Sequence, residues 1–257
     1  MAGHSKWANI KRQKARVDAV KGKVFAKMSR AIIVAARAGA DPAGNFQLRT
    51  AIDKAKQAGI PNENIERAIA KGSGQLGSDS QFEDMRYEGY GAGGIAVIVE
   101  ALTDNRNRTA AELRTAFTKG GGNLGETGCV SWMFQQKGVI TITGAVDEEQ
   151  ILEASLLAEA DAYEMIEADP EEATLGGAEV FTDLANLEKV SQTLRSQGLP
   201  VTDVELRWLP NNFVEVDDTE QARSLLKLMN ALEDLDDVQN VTTNFEFSEN
   251  VISSLGI

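Results

Sequence analysis

The chain has 257 residues, 42% of them hydrophobic, with 26 Lys or Arg, 39 Asp or Glu, one His and one Cys. That content supports ordinary buried cores and excludes a chain disordered throughout; the lone Cys129 excludes an internal disulfide and fits a reducing compartment. The longest uncharged run, Gly89 to Val99, is too short to span a bilayer, which takes about 20 apolar residues.

Ten of the 26 cations (Lys6, Lys11, Arg12, Lys14, Arg16, Lys21, Lys23, Lys27, Arg30 and Arg37) lie between Met1 and Ala40, with Asp18 the one acid. The remainder carries 16 basic against 38 acidic residues. Such segregation gives one end a positive field that attracts polyanions, while the acidic remainder limits unspecific adhesion. The arm has no apolar segment of the secretory kind. A basic, acid-poor start also fits an organelle transit peptide, but here it runs unbroken into a helical pattern. The expectation is a soluble, cytoplasmic protein.

From Gly22 to Ala38, Val24, Met28, Ala31, Ile32 and Ala35 repeat with helical period, and Lys23, Lys27, Arg30 and Arg37 form a stripe on another face. A second helix reads from Phe46 to Ala58 and stops at Gly59-Ile60-Pro61. A third carries Ile65, Ala68 and Ile69 and ends at Gly72. The corner between them resembles a helix-turn-helix, but Glu63 and Glu66 would face DNA unfavourably, so a plain helical hairpin is the better reading. Gly72 to Ser80 reads as a linker.

Beyond the linker the pattern alternates. Gly94 to Leu102 reads as a buried strand, followed by a helix capped by Asn105, with Ala110, Leu113 and Phe117 inward. Val139 to Thr143, a helix from Asp147 (capping with Gln150) to Ala158, strands Tyr163–Glu167 and Glu179–Thr182, a helix Asp183–Gln197 and a strand Val201–Leu209 spell β-α-β-β-α-β, the ferredoxin-like plait. Asn212–Val216 reads as a strand, Thr219–Leu232 as a helix and Val238–Phe247 as a strand. Neither flanking half completes a sheet, so the two should pair. The expected organisation is α+β: a basic arm and helical bundle over 1–75, a discontinuous plait over 81–135 plus 210–257, and an inserted plait over 136–209.

Candidate chemistry is sparse. With His4 the sole histidine, His-based triads and multi-His metal sites are impossible. Cys129 sits in an apolar run, Cys129 to Phe134, and reads as core. The glycines of Gly89–Gly94 precede a strand, and those of Gly120–Gly125 follow a helix without Gly-Lys-Ser/Thr, so neither forms a phosphate loop. Asp147-Glu148-Glu149 and Asp217-Asp218 open helices, and Glu233-Asp234 with Asp236-Asp237 reads as a solvated turn. No catalytic residue, cofactor, metal site or small-molecule substrate is expected. Asn105, Arg106 and Arg108, at a strand end and helix start, fit a secondary anion site as well as they fit an ordinary cap. The arm is the stronger signal: Lys6, Lys11, Arg12, Lys14 and Arg16, with Lys23, Lys27, Arg30 and Arg37, can neutralise phosphates, and Trp7 can stack on an unpaired base.

Gly3-His4-Ser5-Lys6-Trp7-Ala8-Asn9-Ile10-Lys11 resembles the opening of the YebC/PmpR family. Ala51–Lys56, Pro61–Ile69, Arg86–Gly91, Leu102–Thr109 and Gly121–Gly125 are similar to further family segments in the expected order. Arg12-Gln13 stands where members often have His-Arg, and Ala92 where Pro is usual. The resemblance implies a three-domain α+β protein without known catalysis. Members are generally described as DNA-binding transcriptional regulators, and some relatives as ribosome-associated translation activators that relieve stalling at proline-rich sequences. The implied partner is nucleic acid, DNA or ribosomal RNA, and no membrane.

Overall fold

A computed structural model describes residues 21–75, 82–168 and 176–255. Within these the chain forms two compact units, one spanning 136–209 and the other the segments before and after it.

The larger unit opens with three helices, α1 (Lys21–Ala36), α2 (Phe46–Gln57) and α3 (Asn62–Gly72). The side chain of Asn45 caps α2 by accepting from the Leu48 N–H. Ile32, Ile33, Ala35 and Ala36 of α1 bury against Leu48, Ile52 and Ala55 of α2 and Ile65 and Ala68 of α3. The buried face thus takes in Ile33 and Ala36 beyond the expected set, and α1 ends two residues early. Gly72 lets α3 approach α1 closely, since a Cβ there would lie 2.8 Å from that of Ala36.

The same unit holds a sheet of β1 (Glu83–Tyr90), β2 (Ala96–Thr103), β3 (Asn123–Leu124) and β9 (Val238–Thr243) in the order β3-β1-β2-β9, with α4 (Arg106–Lys119) and α7 (Thr219–Glu233). Strand β9 from the second segment pairs antiparallel with β2 from the first. The spatial order is that of a plait, but β1, which precedes β2 in the chain, fills the place that a later strand normally takes. Ile95 to Val99, Leu113, Phe117, Leu225, Leu228 and Leu232 make its core. The final strand expected as continuous to Phe247 breaks at Asn244, whose Oδ1 accepts from the Ala96 N–H at 2.9 Å. A separate β10 (Phe245–Phe247) then runs parallel with β8 (Val214–Val216), and α8 (Glu249–Leu255) follows.

The smaller unit is a ferredoxin-like plait. Its elements are β4 (Phe134–Thr143), α5 (Glu148–Ala158), β5 (Ala162–Ile166), β6 (Gly177–Thr182), α6 (Leu187–Ser196) and β7 (Val201–Pro210), with sheet order β5-β6-β4-β7. Ile140, Ile142, Ile151, Val180, Val190 and Leu194 fill the space between sheet and helices. The side chain of Asp147 makes no cap bond, so the expected capping pair with Gln150 does not form.

Candidate nucleic-acid interface

Of the expected phosphate-binding residues, Lys6, Trp7, Lys11, Arg12, Lys14 and Arg16 lie outside the described residues, as does the side chain of Lys23. The remaining three lie on α1 and at its end. Lys27 Nζ donates to the Glu233 carbonyl at 2.7 Å. Arg30 donates to the Asp236 carbonyl, its guanidinium lies 3.3 Å from Asp237 Oδ1, and it sits over the Phe82 ring. Arg37 donates to the Phe82 carbonyl. Helix C-termini and turns expose carbonyls that cations satisfy well, and Lys27 and Arg30 meet the end of α7 and the turn between it and β9.

That turn is not the solvated acidic loop its composition suggests. Asp237 is only 2% exposed. Its Oδ2 accepts from Arg108 Nη2 at 2.7 Å, Thr109 Oγ1 at 2.7 Å and Thr103 Oγ1 at 3.2 Å. Burial alone would raise the Asp237 carboxyl, but bonding from Arg108 and Thr109 and the fields of Arg108 and Arg30 outweigh it and hold the group below its ordinary value. One carboxylate therefore ties α1 to the β2–α4 junction.

The secondary cluster is drawn into the same network. Asn105 caps α4, accepting from the Arg108 N–H at 3.1 Å. Arg106 Nε donates to Glu83 at 2.6 Å, and Arg108 also pairs with Asp104 at 2.9 Å. All three groups answer partners within the protein.

A second buried carboxylate was invisible in the sequence. Glu88 of β1 accepts from the Val130 and Ser131 N–H groups at 2.9 and 2.8 Å, with Arg86 at 3.2 Å. Burial pushes its carboxyl up, yet these N–H groups, that of Gly128 and Arg86 together bring it below the usual value. The apolar run expected as core is split: Val130 and Phe134 are buried, Cys129 is half-buried and Trp132 is 69% exposed. Burial and the neighbouring Glu88 carboxylate raise the Cys129 thiol, which opposes the thiolate a nucleophile needs. Among the described residues no group of three or more His, Cys, Asp or Glu is placed to hold a metal ion, and no helix is long and apolar enough to cross a membrane.

An N-terminal helical region followed by antiparallel sheets with helices places the chain among α+β proteins. It belongs to the TACO1/YebC family: residues 5–75 match the TACO1/YebC protein N-terminal domain, and residues 82–245 match the TACO1/YebC second and third domain. The chain is 69% identical over 255 residues to a "Probable transcriptional regulatory protein" of Trichodesmium erythraeum, covering 99% of each chain. A protein of the same name from Trichormus variabilis is 68% identical over 98% of each. The crystal structure of a conserved hypothetical protein from Aquifex aeolicus superposes with TM-score 0.81 at 45% identity, over 93% of this chain and 95% of that one.

Proposed function

We propose that this protein is a non-enzymatic, nucleic-acid-binding regulator of gene expression that acts in the cytoplasm, with DNA in transcriptional control as the first reading. One observation carries it: ten cations against one acid in the first forty residues of a chain whose net charge is −13. The description of its relatives as probable transcriptional regulatory proteins supports the same reading. In this reading Lys6, Lys11, Arg12, Lys14, Arg16 and Lys23 contact phosphate, because Lys27, Arg30 and Arg37 already answer carbonyls of the larger unit. Residues 1–75 form the binding part, and 81–135 with 210–257, and 136–209, present it.

The test is the salt dependence of binding by the full chain. Neutralising Lys6, Lys11 and Lys14 to alanine should reduce the slope of log K against log salt by about 0.9 per lost contact on duplex DNA and about 0.7 on a single strand. An unchanged affinity and slope would sink the assignment.

Trp7, set beside Lys6, favours a second reading, a translation activator on ribosomal RNA, since an aromatic ring among cations suits an unpaired base. Trp7→Ala should then weaken single-stranded RNA binding by about 1–3 kcal/mol while leaving duplex DNA unaffected. Equal effects on both would remove the support for stacking.

A further inference from the structure

The acidic excess is not spread over the chain. Residues 136–209 hold 16 of the 39 acids and only 4 of the 26 cations, a net charge of −12, and residues 210–257 carry a further −8. A surface of that sign repels phosphate and attracts cationic partners.

On the same unit, helix α5 is apolar on both sides. Ile151, Ala154 and Ala158 face the core, while Leu152, Leu156 and Leu157 are 41%, 70% and 60% exposed. Isolated surface leucines are common, but Leu152 and Leu156 lie one turn apart on the same face and form a continuous apolar pair, with Leu157 beyond Glu153. Leu152 and Leu156, one turn apart, line a shallow groove of about 360 Å³ with Ser155, Ala160, Ala162 and Tyr163. Its floor lies at β5, the edge strand of the sheet.

The charges around the groove are arranged unequally. Asp161 is answered by Lys137 and Glu159 by Lys189. Glu149 and Glu153, also one turn apart and on the ridge beside Leu152 and Leu156, are exposed and have no cationic partner among the described residues. An apolar pair flanked by a parallel pair of unanswered carboxylates is complementary to a helix carrying apolar residues on one stripe and Lys or Arg on the next.

We propose that the outer face of α5, with the groove at β5, is a docking surface for a cationic amphipathic helix of a partner protein. The apolar knobs of that helix seat on Leu152 and Leu156, and its cations reach Glu149 and Glu153. This gives the acidic plait a protein-recruiting role separate from nucleic-acid binding, and it stands whatever the N-terminal cations bind.

The experiment uses the isotopically labelled full chain and a synthetic helical peptide of Leu and Lys with leucines at i and i+4, beside a scrambled peptide of the same composition. The amphipathic peptide should shift the resonances of Leu152, Leu156, Ala160 and Ala162, and Leu152→Ser with Leu156→Ser should weaken its binding about tenfold. Both leucines are exposed, so the fold should survive, and the wild-type shifts provide a readout independent of the variant. Equal binding of the scrambled peptide, or no loss in the double variant, would reduce the effect to bulk charge and overturn the proposal. It would equally fall if the wild type self-associates through this face and the double variant does not, or if duplex DNA or RNA shifts the same resonances.

Discussion

Replacing Asp237 by alanine is expected to destabilise the larger unit by about 3–5 kcal/mol, the range for removing one member of a buried ion pair. The variant leaves Thr103 and Thr109 without their shared acceptor and Arg30 without its carboxylate, and it frees α1 from the β2–α4 junction. Arg108 keeps Asp104 and is partly exposed, which argues for the lower end of that range. Urea denaturation followed by circular dichroism reads the loss directly. The pH dependence has a definite sign. With the folded pKa of Asp237 below its unfolded value of about 3.9, its contribution is complete above that value and is lost as pH falls through the folded one. The stability gap between wild type and Asp237→Asn should therefore be constant near neutrality and narrow on acidification below about pH 4. A gap that widens with acid would contradict the ion-pair account.

Replacing Arg207 by methionine should be comparably costly to the plait, again about 3–5 kcal/mol. Its Nη1 bonds both carboxylate oxygens of the buried Glu179 at 3.0 Å, while Nη2 and Nε bond Glu205 at 2.7 and 3.0 Å. Burial opposes the guanidinium charge, but the two carboxylates overcome this and raise its pKa well beyond the usual arginine value. Without the cation, the buried Glu179 carboxylate loses the two charge-assisted hydrogen bonds it accepts from Arg207. Adding Glu179→Gln should restore much of the loss at neutral pH, because it removes the buried charge that the guanidinium answered. Failure of that second substitution to rescue would show that the arginine acts by packing rather than charge.

What could be read from the sequence was what depends on local pattern. The plait over 136–209 was legible because its strands are β-branched runs separated by clean helical periods, as Val139 to Thr143 and Ile151 to Ala158 show. The Asn105 cap was legible for the same reason. Strand β1 was not, because its alternation breaks near its end: charged Glu88 is buried, made tolerable by N–H groups some forty residues away. Asp237 was misjudged similarly, since Leu235-Asp236-Asp237 looks like any solvated turn until Arg30 and Arg108 arrive from distant segments. The helix stripe illustrates the limit for the site. Its period placed Lys27, Arg30 and Arg37 together on one side, but only tertiary packing shows that they meet carbonyls of the same unit. The leucines of α5 carried no sequence signal because Ile151, Leu152, Leu156 and Leu157 all read alike as apolar.

The most direct test of the central claim is crosslinking of the full chain in cells, followed by sequencing of the nucleic acid that remains bound, beside a variant with Lys6, Lys11 and Arg12 reversed to glutamate. The account predicts recovery of a defined nucleic acid by the wild type and its loss in the variant. Discrete promoter DNA would support transcriptional control, and one site on ribosomal RNA would support the translational reading. Recovery of neither, or equal recovery by the variant, would contradict the assignment of the cationic head to phosphate.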